Sequence, residues 1–291
     1  MRALWRRLPV IVRAVLTGSL LTTAGTIPWA LLASANQLFW TSVPWAVPLT
    51  VLYLWLYWRY LGGAGWPKST AEARRMNLRA HALSSAVWGA ALLAGVLGLV
   101  AVVLLLRVLS RLVTLPQQQL PDFSQFPFLT VFCLLLTGAA VAGIVEEASF
   151  RGYMQGPIER RHGPVVAIAV MGTVFGLAHF THREVTMIMM PYYVAAAAVY
   201  GALAYLTNSI LPGVVLHAGG NALLGVFDLL AQGPTGFEVP LSPAPLIWET
   251  GADAAFWVSG VLFMIMTAVA VWAYSALASV ARPQLRATEG G

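Results

Sequence analysis

Two adjacent glutamates, Glu146 and Glu147, end an apolar run that begins at Leu134. A carboxylate inside a bilayer is unfavourable by about 3 kcal/mol or more, so acidic residues in such runs usually belong to a functional site. On a helix, residues four apart share a face, whereas neighbours diverge by about 100°. Glu147 and Arg151 have this spacing with the acid first, an order that favours an ion pair. We expect Arg151 to hold Glu147, and Glu146 to face a cavity as a candidate general base.

Two imidazoles and one amide lie in later apolar segments of the chain. His179 ends a run of small residues that contains Gly172 and Gly176, a spacing that lets helices approach closely. His217 and Asn221 are four residues apart, so their side chains share a helix face. Each motif also has an ordinary structural explanation, because a lone histidine more often hydrogen-bonds between helices than reacts. Together, an acid pair, two imidazoles and an amide indicate a reaction centre.

The elements that carry these residues are predicted to be membrane helices. The chain of 291 residues is 59% hydrophobic and 10% charged, with a mean hydropathy of +0.75, whereas soluble domains carry about 25% charged residues. Backbone groups in lipid must be satisfied within their own segment, which favours helices of about 20 apolar residues. We predict an all-α fold, a polytopic membrane helix bundle of about eight transmembrane helices. The candidate spans are residues 9–34, 43–61, 81–106, 127–147, 163–181, 186–206, 209–230 and 254–280.

The basic charge of the chain is explained by its topology. A net charge of +6 and a pI near 9.8 would suit a nucleic-acid binder, but eight spans with a cytoplasmic N-terminus place most Lys and Arg residues in the inner segments. This distribution follows the positive-inside rule. We expect cytoplasmic N- and C-termini, a lipid bilayer as partner and no nucleic acid. We predict one integral membrane domain over residues 1–291, multi-pass in the cell membrane (the inner membrane in a bacterium), with its motif-bearing core at 127–230.

Three short motifs follow one another on three separate predicted spans. They are Glu-Glu-x-x-x-Arg at 146–151, Phe-x-x-x-His at 175–179 and His-x-x-x-Asn at 217–221. In this combination the chain resembles the CPBP family of intramembrane proteases, which includes the CAAX prenyl endopeptidases of the Rce1 type and the bacterial Abi proteins. The resemblance covers residues 146–221 and implies an intramembrane glutamic endopeptidase, a hydrolase that cuts a peptide or protein substrate.

The resemblance also implies a role for each motif residue. Glu146, the first glutamate of the pair, is expected to be the base that activates the attacking water, and His179 is expected to help hold that water. His217 and Asn221 are expected to polarise the scissile carbonyl and to stabilise the tetrahedral oxyanion, which is the largest contribution in many acyl transfers. Glu147 and Arg151 are expected to support the site.

A zinc-dependent version of the same protease is the alternative mechanism. Zinc hydrolases usually supply three protein ligands and a water, and Glu146, His179 and His217 are the residues that would do so. The His-Glu-x-x-His signature of membrane zinc proteases does not occur in the sequence. We therefore expect catalysis without a metal or other cofactor.

Two other function classes remain as alternatives. Intramembrane Glu and His residues also serve in proton-coupled transporters, although the sequence has no visible inverted repeat of the kind many transporters contain. A non-catalytic immunity or scaffold protein could keep the fold, although an intact set of motifs weighs against loss of the site. For a protease, the substrate would be an extended peptide segment, since a helix hides its carbonyls. A prenylated C-terminal peptide, a leader peptide, a bacteriocin precursor and a membrane-anchored regulator all meet this description.

Overall fold

The computed structural model describes residues 5, 7–115, 123, 125–181, 187–232 and 245–289, and the regular secondary structure in these ranges is helical throughout. A π-helical stretch, Glu147–Gln155, joins two of the α-helices and is named the π segment. Short 3-10 turns lie at Lys68–Thr70, His179–Thr181 and Met187–Met189. The α-helices are α1 Val10–Leu38, α2 Ala46–Leu61, α3 Ala71–Leu78, α4 Ser85–Leu112, α5 Phe128–Glu146, α6 Gly156–His162, α7 Pro164–Ala178, α8 Met190–Thr207, α9 Leu211–Gln232, α10 Ile247–Thr250 and α11 Ala254–Glu289.

The all-helical membrane fold predicted from composition is confirmed. Among the described residues, six helices are long and apolar enough to cross a membrane: α1, α4, α9, α11, α8 with the turn before it, and the continuous helix Phe128–His162. Two of the predicted spans correspond to shorter helices, α2 with 16 residues and α7 with 15 residues. The count of eight spans and the cytoplasmic placement of both termini stay predictions.

Contacts group the chain into two compact units that alternate along the sequence. The first unit comprises Met1–Ala80, Gln119–Gly163 and Gly213–Val239, and the second comprises His81–Gln118, Pro164–Pro212 and Pro240–Gly291. The first unit therefore contains the two glutamates and most of α9, and the second contains α7 and α8. That residues 1–291 act as a single integral membrane domain stays a prediction.

In the first unit, α1 packs against α5 and the π segment. The backbone of α1 lies against Val145 at Gly25 and against Met154 at Gly18, so that no side chain fits between these elements at either point. Val145 and Met154 are fully buried. Since Val145 directly precedes Glu146, α1 forms a packed wall behind the glutamate pair.

The short helix α3 also contacts the π segment, through hydrogen bonds and backbone atoms. The hydroxyl of Tyr153 donates to the carbonyl oxygens of Leu61 and Arg74, each at 3.2 Å. A Cβ at Gly152 would lie 2.7 Å from the carbonyl oxygen of Asn77, so α3 touches the π segment through backbone atoms. The π segment is thus enclosed by α1 and α3, and all nine of its residues are buried.

The second unit is built around α4, α8 and α11. The hydroxyl of Tyr274 on α11 donates to the carbonyl oxygen of Val199 on α8 at 2.9 Å. The small residues of α7 lie against α8, where a Cβ at Gly172 would be 3.3 Å from the Cα of Val194. The close helix approach predicted from the Gly172–Gly176 spacing is confirmed, because Gly176 also lies against α8.

Candidate active site

The glutamate pair lies where the regular helix α5 changes into the π segment. Glu146 is the last residue of α5 and Glu147 is the first residue of the π segment. A π-helix has i→i+5 hydrogen bonds and is rare outside short bulges, which occur frequently at functional sites. The sequence indicates a regular α-helix here, and the wider turn is a departure that the residue pattern does not reveal. It falls where α1 and α3 enclose the chain.

The predicted ion pair between Glu147 and Arg151 is present. Nη1 of Arg151 lies 3.0 Å from Oε1 of Glu147, and both side chains are buried, at 1% and 0% exposed. Buried charges of this kind need an opposite partner, because removing either one leaves an uncompensated charge in a low-dielectric interior. The pair therefore fixes the first turn of the π segment.

His217 on α9 contacts both glutamates. Its Nδ1 lies 3.0 Å from Oε1 of Glu147, within hydrogen-bond distance, and its Nε2 lies 3.8 Å from Oε2 of Glu146. The imidazole is buried at 8% exposed. Oε1 of Glu147 consequently accepts a hydrogen bond from the imidazole and lies in an ion pair with the guanidinium, each at 3.0 Å. The three motif residues that these contacts join come from segments about 70 positions apart in sequence.

Glycines allow α9 to come this close to the glutamates. A Cβ at Gly143 would lie 2.7 Å from the backbone nitrogen and from the Cβ of Ala218. One turn before His217, a Cβ at Gly213 would lie 2.7 Å from Oε2 of Glu147. Because neither position has a side chain, the backbones of α5 and α9 touch, and His217 reaches the carboxylates.

The two glutamates differ in their access to solvent. The side chain of Glu146 is 23% exposed, whereas that of Glu147 is 0% exposed. The oxygen of Glu146 that faces His217, Oε2, is itself buried, and within the described part of the chain neither it nor Oε2 of Glu147 has a hydrogen-bond partner. The predicted pairing of Glu147 with Arg151 is therefore present, whereas the prediction that Glu146 faces a cavity stays a prediction.

Asn221 follows His217 by one turn of α9 and is exposed. Between them, a Cβ placed at Gly219 or Gly220 would have no neighbour from another part of the described chain within 4 Å. The amide of Asn221 is therefore accessible one turn beyond the imidazole of His217.

His179 belongs to the second unit, where it begins the turn that follows α7. Its Nδ1 donates to the carbonyl oxygen of Phe175 at 2.8 Å, since a carbonyl oxygen can only accept. The ring stacks on Tyr193 of α8, with ring centroids 4.4 Å apart, and lies 4.5 Å from the ring of Phe175. These contacts fix the orientation of the imidazole. That His179 acts together with Glu146 stays a prediction.

The residues proposed as zinc ligands in the alternative mechanism are Glu146, His179 and His217. Within the described residues, no group of three or more His, Cys, Asp or Glu side chains has the arrangement of a metal site. Catalysis without a metal stays a prediction.

Two features of the site have no counterpart in the sequence pattern. The contact of His217 with Glu147 joins distant segments, and no spacing rule links them. The roles of Gly143 and Gly213 depend on which helix packs on α5, although a glycine within an apolar helix is itself a sign of close approach.

Comparison with known proteins finds a match for the part of the chain that contains the three motifs. Residues 127–223, about one third of the chain, match the family model described as type II CAAX prenyl endopeptidase Rce1-like. No curated protein and no solved structure matches the chain. The matched residues include all three motifs and lie within the core predicted at 127–230. The resemblance drawn from the motifs is confirmed for this segment: residues 127–223 are similar to the Rce1-like family, which supports a CPBP-type intramembrane protease.

Proposed function

We propose that this protein hydrolyses a peptide bond of a membrane-associated or C-terminal peptide segment, using a water activated by Glu146. The observation that carries the proposal is the contrast within the glutamate pair. Glu147 is fully buried in an ion pair, whereas the side chain of Glu146 is 23% exposed and its Oε2 lies 3.8 Å from Nε2 of His217. A base must reach both water and a neighbouring catalytic group, and of the two carboxylates only Glu146 is exposed enough to do so.

The reaction follows from the side chains at the site. Glu146 takes a proton from water as the water oxygen bonds to the scissile carbonyl carbon. Asn221 donates a hydrogen bond to the oxyanion that forms, and His217 does so once its Nε2 carries a proton. When the intermediate collapses, the C–N bond breaks and the amine leaves with the proton that came from the water. Glu147 and Arg151 support the site, and no metal or cofactor takes part.

His179 is proposed to hold the attacking water. Because its Nδ1 hydrogen is donated to Phe175, the neutral ring presents an acceptor at Nε2. An acceptor at this nitrogen can receive a hydrogen bond from water and so orient the water oxygen. The stacking on Tyr193 keeps the ring from turning.

The substrate is proposed to be an extended peptide presented from the bilayer. The description of the matched family directs the first test to peptides that end in a prenylated cysteine followed by three residues. Leader peptides, bacteriocin precursors and membrane-anchored regulators form the next set. The exposed amide of Asn221, one turn from His217 on α9, supports the approach of an extended chain.

A trapping experiment tests the function and identifies the substrate at the same time. Membranes from cells with wild-type protein and with Glu146→Gln are compared by peptide-level proteomics. We expect a peptide or protein that accumulates uncut in the variant and co-purifies with it. Glu72→Gln, an exposed glutamate on α3, is the matched control and should behave as wild type.

Other outcomes point to the other function classes. Full cleavage by Glu146→Gln would contradict the mechanism. Solute or proton flux in proteoliposomes that depends on Glu146, without any cleavage, would indicate transport. Complementation of the cellular role by the Glu146→Gln protein would indicate an immunity or scaffold role.

A further inference from the structure

We infer that Glu147 is a positioning residue for His217: it fixes which ring nitrogen carries the proton and aims the other nitrogen at Glu146. The inference rests on the proposed function and assigns to Glu147 a task beyond general support of the site. It depends on one hydrogen bond, between Nδ1 of His217 and Oε1 of Glu147 at 3.0 Å.

The donor in this hydrogen bond is determined by elementary chemistry. Glu147 is paired with the guanidinium of Arg151 at 3.0 Å, so it is held as a carboxylate, which only accepts hydrogen bonds. Nδ1 of His217 must therefore carry the hydrogen. In a neutral imidazole the other nitrogen then has a lone pair, and that nitrogen, Nε2, lies on the side of Glu146.

The surroundings hold Glu147 in place for this task. Its carboxylate is fully buried, with Arg151 on one oxygen and the backbone of Gly213 against the other. The ring of His217 is carried by the part of α9 that touches α5 at Gly143. Both partners of the hydrogen bond are thus fixed by packing, as in catalytic sites where a buried carboxylate orients an imidazole.

The protonation pattern assigns an order to the proton transfers. A neutral His217 with a lone pair at Nε2 can stabilise an oxyanion only after Nε2 has received a proton. Glu146, whose Oε2 is 3.8 Å away, holds one after it has deprotonated the water. Transfer of this proton to Nε2 returns Glu146 to a carboxylate and makes the ring a donor at both nitrogens. The same proton then passes to the amine nitrogen as the C–N bond breaks.

Nitrogen NMR of histidine-labelled protein in detergent micelles tests the inference directly. Spectra are recorded at a pH where the rings are neutral, and the His217 signals are assigned by their loss in His217→Ala. We expect wild-type His217 to carry its hydrogen on Nδ1. Glu147→Gln should keep this form, because the amide oxygen still accepts. Glu72→Gln is the matched control and should leave the His217 signals unchanged.

A double variant covers the case in which a single change at this buried pair prevents folding. Glu147→Leu with Arg151→Met removes the acceptor and its cation together, and His217 should then shift towards the form protonated at Nε2. Hydrogen on Nε2 in the wild-type protein, or an unchanged ring in the folded double variant, would overturn the inference.

The spectra need no substrate, so they test the positioning role of Glu147 independently of the proposed peptide hydrolysis. If His217 carries its hydrogen on Nδ1 but the protein cleaves no peptide, the proposed function is contradicted and the positioning role of Glu147 is not. If cleavage depends on Glu146 but His217 carries its hydrogen on Nε2, the positioning role of Glu147 is contradicted and the proposed function is not. Once a substrate is in hand, Glu147→Gln should retain more of kcat than the double variant, with similar KM values.

Discussion

Gly143 and Ala218 touch through their backbones, since a Cβ at Gly143 would lie 2.7 Å from the nitrogen of Ala218. This contact joins α5 to α9 one turn before the glutamate pair and directly beside His217. It therefore sets the distance between the imidazole and the carboxylates. The geometry of the site therefore depends on how closely α5 and α9 pack at this contact.

We expect Gly143→Ala to reduce cleavage more than it reduces stability. The added methyl group must push α5 and α9 apart, at a cost of about 1–3 kcal/mol for overpacking. A displacement of about 1 Å at the reacting groups lowers the rate by up to roughly 100-fold. Thermal unfolding in detergent and cleavage of the trapped substrate measure the two effects. Gly89→Ala is the control, because a Cβ there would have no neighbour within 4 Å from elsewhere in the described ranges. Equal activity of both variants would contradict the assigned contact.

Glu146→Gln is expected to lower the cleavage rate by roughly 100- to 10,000-fold, the range that a general base contributes. Its melting temperature should stay near that of the wild type, because Glu146 is partly exposed and outside the buried ion pair. His179→Ala and His217→Ala should also abolish cleavage in protein that remains folded. Single-turnover cleavage and thermal unfolding measure the two effects. A fully active Glu146→Gln protein would show that Glu146 is not the base.

Arg151→Met should destabilise the fold by about 3–5 kcal/mol, because it leaves Glu147 charged and buried without its cation. The double change Glu147→Leu with Arg151→Met should recover most of this loss, since an apolar pair of similar volume replaces a buried ion pair at little cost. Chemical unfolding in detergent measures the free energy of unfolding for each. A double variant no more stable than Arg151→Met would show that the charge pair is not the cause.

Gly152→Ala should loosen α3 from the π segment. The new Cβ would meet the backbone carbonyl of Asn77 at 2.7 Å, and backbone yields less readily than a side chain. Gly156→Ala is the matched control, because the nearest atom to its new Cβ is a side-chain carbon of Arg79 at 3.3 Å and not a backbone atom. Limited proteolysis of the loop before α3 should be faster in Gly152→Ala than in Gly156→Ala. Identical digestion of the two variants would argue against the contact.

Chelation tests the metal-free mechanism that we propose. Purified protein treated with EDTA and then with 1,10-phenanthroline should keep its full cleavage rate. In the alternative, a bound zinc supplies the activated water, and its removal abolishes turnover. Loss of activity that is restored by zinc, but by no other divalent cation at the same concentration, would establish that alternative.

Much of the site could be predicted from local sequence. Composition and the length of the apolar runs indicate membrane helices, because lipid excludes other backbone conformations. The four-residue spacing of Glu147 and Arg151 predicts their ion pair, since one helical turn brings such residues together. The order of the three motifs indicates the family whose model residues 127–223 match.

Which side chains contact the carboxylates of Glu146 and Glu147 was determined only by the tertiary structure. Nothing in the spacing of the motifs reveals that Glu147 accepts a hydrogen bond from His217, because that contact depends on how α9 crosses α5. The crossing depends in turn on the missing side chains at Gly143 and Gly213. The π segment likewise arises where α1 and α3 enclose the chain, and residue pattern alone does not specify it. Periodicity determines which residues share a helix face, whereas packing between helices determines which faces meet.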